Sequence, residues 1–109
     1  QAKITLSSNN TFSVGYELKG LSEYPVSRWG VCFCLNTAEW MGSSVASSGN
    51  TYLLAQDISP QRVIDGVIQG LFPASNEMHF VAPDQRYIKV LSVGKVLEAE
   101  DQRNWTDNT

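Results

Sequence analysis

Hydrophobic and polar residues alternate along several short stretches of the chain, which is the period of a β-strand with one buried face. The clearest example is residues 12–18, where Phe12, Val14 and Tyr16 alternate with serine, glycine and glutamate. This alternation, or a short apolar run, predicts strands at residues 2–6, 12–18, 26–35, 52–55, 78–81, 87–93 and 96–99.

Turn residues separate the strands predicted near the end of the chain. Pro83-Asp84 precedes one apolar run, and Gly94-Lys95 ends it. Short strands divided by such pairs are typical of antiparallel sheets. We therefore expect a mostly β fold, an antiparallel β-sandwich, with residues 1–100 as a single domain and residues 101–109 as a polar tail or linker.

The predicted strand at residues 26–35 is apolar on both faces from Val31 onward, which is typical of a central strand. Together with the alternating strands on either side, it predicts where the hydrophobic core lies. The residues we expect to be largely buried are Phe12, Val14, Tyr16, Trp29, Val31, Phe33, Ile88 and Val90.

Residues 60–72 fit two kinds of secondary structure. Ser59 is a suitable helix N-cap, Pro60 suits the first helical position, and the apolar residues that follow fall on one helical face. Gly66 and Gly70 each weaken a helix by about 1 kcal/mol relative to alanine, and the β-branched residues favour a strand. One short inserted helix and a strand therefore both remain open.

The charge and the apolar runs of the sequence argue against two classes of partner. The chain has 109 residues and a formal net charge of -3, and its eight basic residues are dispersed. Nucleic-acid binding requires a basic patch, so we expect no nucleic-acid partner. A membrane-spanning helix needs about 20 consecutive apolar residues, and the sequence has no such run, so we expect no membrane insertion.

The cysteines and the single histidine offer little chemistry. Cys32 and Cys34 are two apart on a predicted strand, too far from each other for ordinary disulfide geometry. We expect two reduced, buried thiols and no metal site, because only His79 could add a further soft ligand.

A catalytic site is not predicted either. His79 lies between Met78 and Phe80 in a predicted strand, and no nucleophile-elbow pattern is present. The acidic residues are scattered, and the chain has no glycine-rich phosphate loop. We therefore expect a protein that is not an enzyme and that carries no cofactor.

Two patches of the sequence resemble a known family. Residues 25–33, Pro-Val-Ser-Arg-Trp-Gly-Val-Cys-Phe, resemble the third strand of fibronectin type III-like domains in secreted proteins of gut Bacteroidetes. Residues 81–90, Val-Ala-Pro-Asp-Gln-Arg-Tyr-Ile-Lys-Val, are similar to the turn and strand of the same immunoglobulin-like domains. The resemblance implies a β-sandwich in which Trp29 faces the core, as in immunoglobulin folds.

The resemblance also implies a function. Such domains are non-catalytic binding or spacer modules of secreted or cell-surface proteins, often beside other domains of a longer chain. The expected partner is a protein or a glycan, and the expected location is extracellular or at the cell surface. Two alternatives stay open, a carbohydrate- or peptide-binding β-sandwich and a self-associating structural subunit of the coat or pilus type.

The candidate binding residues are aromatic or belong to the apolar part of the insertion. Exposed tryptophans are enriched at recognition sites. Residues 42–50, rich in serine and glycine, predict a mobile loop beside two of the aromatic candidates. The candidates are Trp40, Tyr52, Val67, Ile68 and Trp105.

Overall fold

The computed structural model describes residues 2–6, 9–17, 19–23, 25, 30–57 and 62–105. Its strands pair antiparallel throughout this part of the chain, and helix is limited to short turns. The predicted mostly β, antiparallel fold is thus confirmed, and it is consistent with a sandwich-like arrangement. In chain order the elements are β1 (Ala2–Leu6), β2 (Phe12–Tyr16), α1 (Thr37–Trp40), β3 (Ser44–Ser47), β4 (Asn50–Leu53), β5 (Arg62–Ile64), β6 (Val67–Gln69), β7 (Glu77–Val81), β8 (Tyr87–Leu91) and a 3-10 turn (Gln102–Trp105).

The chain divides into two compact units, Gln1–Cys32 and Phe33–Thr109. In the first unit, β1 and β2 form a hairpin in which Ile4 pairs with Val14. Directly paired residues share a face of a sheet, so this face is apolar. Its side chains are nevertheless exposed, by 68% at Ile4 and 65% at Phe12.

The predicted burial of Phe12, Val14 and Tyr16 is therefore wrong. All three side chains are exposed, Val14 least at 38%. The alternation correctly identified a strand with an apolar face. It could not show that, within the described residues of this unit, the strand would have a single partner strand and no second layer against that face.

The predicted central strand at residues 26–35 is wrong wherever it can be checked. Residues 26–29, and with them Trp29, lie outside the described residues. Residues 30–35 form no strand, and Val31 and Phe33 are 50% and 54% exposed. Apolar, β-branched composition makes a segment suitable for a sheet, but only a partner strand makes it one.

The short helix α1 precedes the sheet of the second unit. The Asn36 side chain caps it, because Asn36 Oδ1 accepts a hydrogen bond from the Ala38 amide at 2.9 Å. The last residue of α1, Trp40, is only 6% exposed and belongs to the hydrophobic core.

Four strands form the main sheet of this unit, in the order β4-β3-β7-β8. The interior strand β3 lies within residues 42–50, so the predicted mobile loop is wrong. Ser48 and Gly49, with φ of 50° and 78°, form the tight turn that joins β3 to β4. The serine-rich composition concealed this hairpin, because only Val45 has a strongly apolar side chain in β3.

The core lies against one face of this sheet. Val45 is fully buried on β3, and Met78 and Phe80 on β7 are 3% and 5% exposed. Ile88 and Val90 on β8 pack against this cluster and are half-buried, so their predicted burial is only partly confirmed. The cluster of buried residues consists of Trp40, Val45, Leu54, Phe72, Met78, Phe80 and Ala82.

The segment left open between helix and strand is a hairpin. Strands β5 and β6 pair with Val63 opposite Ile68 and Ile64 opposite Val67. Asp65 and Gly66 form the turn, with φ of 51° and 77°. Two-residue hairpin turns require positive φ at both central residues, and Asp-Gly meets that requirement readily. The helical alternative for 60–72 is therefore wrong in the described residues, while Ser59 and Pro60 lie outside them.

After β8 the chain runs beside the residues that precede β7. The strand predicted at 96–99 is reduced to a single bridge between Leu97 and Ser75. Within the predicted polar tail, Gln102–Trp105 forms a 3-10 turn, while residues 106–109 lie outside the description.

Candidate functional site

The β5–β6 hairpin is apolar on both faces, and we refer to it as the apolar hairpin. Its strand register places Val63 and Ile68 on one face and Ile64 and Val67 on the other. These side chains are 57%, 42%, 52% and 61% exposed, respectively. Strands that are apolar on both faces are normally covered on both faces. The hairpin thus has the composition of a buried element, although its side chains are exposed.

The apolar hairpin makes no extensive contact with the rest of its unit. Among the described strands, β5 pairs with β6, and neither is hydrogen-bonded into the main sheet. The main sheet, in contrast, is held by contacts between each pair of neighbouring strands. The hairpin is therefore a separate two-stranded sheet of its unit, and we also call it the arm.

Arg103 fixes the chain where it leads into this arm. Its guanidinium donates hydrogen bonds to the carbonyl oxygens of Gln56 at 2.8 Å, Asp57 at 3.0 Å and Ala55 at 3.4 Å. Asp101 holds the guanidinium from the other side, with contacts of 2.8 and 2.9 Å. The Asp101 carboxylate also raises the pKa of Arg103, so the arginine stays charged.

The chain leaving the arm is fixed by the same region. The Leu71 amide donates to the Ala99 carbonyl at 2.9 Å. Gly70 lies so close to this carbonyl that an added Cβ would be 3.1 Å from the oxygen, tighter than ordinary contact. We call residues 99–103 the collar, because they bond to residues 55–57, which precede the arm in the chain, and to Leu71, which follows it. An arm fixed at its base loses less conformational entropy when it binds.

The sequence suggested that Trp40 contributes to a binding surface, but the structure buries it. It is 6% exposed, and the Arg86 guanidinium lies 5.5 Å from its ring centroid. Arg86 is held there by ion pairs with Asp84 at 2.7 Å and Glu39 at 3.0 Å. Because α1 turns the indole inward and Arg86 covers it, Trp40 offers a ligand little surface.

The other predicted site residues are distributed over separate elements. Tyr52 is half-buried and stacks on Phe72, with ring centroids 5.0 Å apart. Val67 and Ile68 lie on the apolar hairpin, and the backbone of Trp105 ends the 3-10 turn. The structure therefore keeps Val67 and Ile68 together as an exposed pair and places Tyr52 against the core.

A charged cluster that the sequence did not indicate lies on the other face of the main sheet. Glu77 Oε1 shares a hydrogen bond with His79 Nε2 and lies 3.0 Å from Lys89 Nζ. The His79 bond and then Lys89 lower the pKa of Glu77. The register could have revealed the cluster, because β-pairing sets His79 opposite Lys89.

The described neighbours of His79 do not include a nucleophile. Within the described residues, no serine, threonine or cysteine side chain is hydrogen-bonded to His79, whose ring has an edge contact with Tyr87 at 6.2 Å. Nucleophilic catalysis needs such a neighbour within hydrogen-bonding reach. His79 is accordingly placed as a strand residue of β7, which agrees with its position in the sequence.

The two cysteines are free and both are exposed. Their predicted burial is therefore wrong, for the same reason that the strand around them is wrong. In the ranges that the structure covers, no group of three or more metal-binding side chains is close enough to hold an ion. The same ranges contain no helix with the length and apolarity to cross a membrane.

A shallow depression of about 320 Å³ lies on the first unit and is lined by Lys3, Gly15, Tyr16 and Glu17. It is open to solvent, whereas small-molecule sites bury most of their ligand. Exposed apolar side chains are concentrated on two hairpins of the described residues, β1–β2 and the apolar hairpin, and only the second is apolar on both faces. The chain significantly matches no protein-family model, no curated protein and no solved structure.

Proposed function

We propose that this chain is a non-catalytic protein-binding module that engages its partner through the apolar hairpin. The observation that supports this most strongly is the exposure of Val63, Ile64, Val67 and Ile68 on both faces of an arm fixed at its base. Large exposed apolar patches mark interaction sites in soluble proteins. A module of this kind in a secreted or cell-surface protein also fits the resemblance to fibronectin type III-like domains.

The chemistry of the arm favours a protein over a glycan. Apart from Asp65 in the turn, the side chains described as exposed on its strands are aliphatic and offer no hydrogen-bonding groups to sugar hydroxyls. The glycan alternative relied on Trp40, whose ring is covered by Arg86. Because both faces of the arm are apolar, the matching surface is a cleft that encloses the hairpin.

A self-associating structural subunit is the second candidate. It is favoured by the main sheet, in which β4 and β8 are edge strands among the described elements. Edge strands carry unpaired backbone groups that a second chain can complete. In this alternative the cleft that receives the arm belongs to another copy.

The test uses Val67→Asp combined with Ile68→Asp. The matched control is Val93→Asp combined with Val96→Asp, which adds the same charge at positions that are 98% and 55% exposed. A photoreactive residue at position 64 first identifies the partner by mass spectrometry, and the purified partner is then titrated. We expect at least a tenfold loss of affinity for the hairpin variant and none for the control.

Two results would contradict the proposal. If the hairpin variant unfolds while the control stays folded, residues 67 and 68 belong to the core and the arm is structural. If the variant stays folded and binds the purified partner as well as the control does, recognition lies elsewhere. Sedimentation of the same three proteins identifies the partner as a second copy if only the unmodified chain and the control associate.

A further inference from the structure

Residues 92–103, which end in the collar, lie beside the segment that precedes β7, and we refer to them as the strap. Backbone hydrogen bonds join the strap to that segment, between Ser92 and Asn76, Leu97 and Ser75, and Ala99 and Leu71. Of its apolar side chains, Leu97 and Ala99 pack against the core, whereas Val93 and Val96 are exposed. Segments with few buried apolar contacts open locally more readily than core strands. The closed position of the strap therefore depends on its polar contacts.

Arg103 ends the strap in a site made of oxygen atoms. Its guanidinium donates to three consecutive carbonyls, those of residues 55–57, and to both carboxylate oxygens of Asp101. The Arg103 and Asp101 side chains are 17% and 5% exposed, so bulk water is largely kept from the ion pair. A planar guanidinium suits this arrangement, because one edge of its fork meets the carboxylate while other N–H groups meet the carbonyls. A lysine ammonium has no such fork.

This site couples the strap to a shielded charge. Without the guanidinium, Asp101 loses its arginine partner and the carbonyls of residues 55–57 lose a donor. Removing one partner of a shielded ion pair is strongly destabilising, because the other charge remains out of water. Opening of the strap hydrates the carboxylate and withdraws Leu97 and Ala99 from the edge of the core. That is a smaller loss than unfolding of the main sheet, so the strap should open first.

We infer that residues 55–57 and Asp101 form a binding site for a guanidinium ion, which Arg103 fills from within the chain, and that filling this site keeps the strap closed. The strap then has two states. With the site filled, one side chain joins the strap to the residues that precede the arm. With the site empty, residues 92–103 open as a unit. This device needs no partner and is independent of the proposed function.

Chemical rescue tests the site. Arg103→Ala empties it, and guanidinium chloride is titrated into the variant at millimolar concentration, far below denaturing conditions. We expect saturable changes in the carbonyl carbon shifts of Ala55, Gln56 and Asp57, and none in the unmodified chain, whose site is filled. Sodium chloride at the same concentration is the salt control. Arg86→Ala is the matched variant, because Arg86 also bridges two carboxylates but is 49% exposed.

Hydrogen exchange tests the strap. In the unmodified chain, an opening that leaves β3 and β7 protected should expose the amides of Leu71, Ser75 and Leu97 together. In Arg103→Ala these amides should exchange about tenfold faster or more, since several hydrogen bonds to a charged group are lost. Guanidinium chloride should slow them again, because a ligand that binds the closed state stabilises it, and sodium chloride should not.

Each outcome decides the inference. Shift changes that sodium chloride reproduces, or that Arg86→Ala shows equally, would overturn the guanidinium site. Arg103→Lys keeps the charge without the fork, and if it protects the strap as well as arginine does, the site is not specific for guanidinium. Strap amides that exchange only together with those of β3 and β7 would overturn the local opening. This last measurement uses the unmodified chain, so it decides even if Arg103→Ala does not fold.

Discussion

Val45 and Phe80 are paired across β3 and β7 and form the centre of the core. They are 0% and 5% exposed, and residues from the loops cover them. Phe33, which the sequence placed in the core, is 54% exposed. Two phenylalanines of similar sequence context thus differ in burial, because only Phe80 lies on a strand with neighbours on both sides.

Phe80→Ala should destabilise the fold by about 3–5 kcal/mol, since it removes a buried aromatic ring and leaves a cavity. Phe33→Ala is the matched control, and at an exposed position it should change the free energy of unfolding by less than about 1 kcal/mol. Urea denaturation followed by tryptophan fluorescence measures both. Equal losses for the two variants would contradict the position of the core.

The Glu77 carboxyl should titrate below the ordinary range of glutamate. Its pKa is lowered mainly by the hydrogen bond with His79 and then by Lys89. A lowered folded-state pKa means that this contribution to stability is present above the unfolded-state pKa and is lost as pH falls through the folded-state value. NMR titration should show the Glu77 pKa rising in His79→Ala, and rising less in Lys89→Ala. An ordinary Glu77 pKa in the unmodified chain would exclude the cluster.

The collar shows how an element is positioned by residues far from it in sequence. The apolar hairpin receives little support from other strands, and Arg103 and Ala99 hold its two ends. Arg103 and Asp101 have side-chain exposures of 17% and 5%, so their ion pair is partly shielded from solvent. Such pairs contribute more than exposed ones.

Arg103→Gln should reduce the free energy of unfolding by about 1–3 kcal/mol, because several hydrogen bonds to a charged group are lost. It should also speed hydrogen exchange at Val63 and Ile68, whose arm is no longer fixed at its entry. Lys95→Gln removes the same charge from an exposed loop and serves as the control. If hydrogen exchange at Val63 and Ile68 changes equally in both variants, Arg103 does not hold the arm in place.

Sequence patterns predicted some elements well. Strands β7 and β8 lie close to the predicted positions, because their apolar residues alternate and turns bound them. Strand β3 was missed, since its buried face includes Ser47, whose hydroxyl gives a polar signal. The arm was left ambiguous because its apolar residues fit both periods, although Asp65-Gly66 is a strong hairpin signal.

At the scale of the whole molecule, sequence patterns were sufficient for the fold class and insufficient for burial. Alternation identifies which side chains share a face, and it does not state whether a second layer covers that face. This explains why Phe12 and Val31 were misplaced while the β class was correct. Trp40, which the sequence offered as a binding candidate, is buried for a related reason, since no pattern along the chain shows which side chain a neighbouring element covers.

The two units should differ in their resistance to opening. Strands β3 and β7 are interior strands with a buried face, whereas β1 and β2 form a two-stranded hairpin with an exposed apolar face. Isolated two-stranded hairpins are marginally stable. Amides of Val45 and Phe80 should therefore exchange near the limit of global unfolding, and those of Ile4 and Val14 much faster. Comparable protection in both units would show that the first hairpin is covered.

The collar has a consequence for the order in which the protein takes shape during translation. The carbonyls that Arg103 binds are 46 to 48 residues earlier in the chain. At a synthesis rate of about 5–20 residues per second, the arm is made several seconds before its clamp exists. The main sheet is complete at Leu91, so it assembles while the arm is still unfixed. We therefore expect the apolar hairpin to be fixed only once Arg103 emerges, and to be accessible to chaperones in the nascent chain until then.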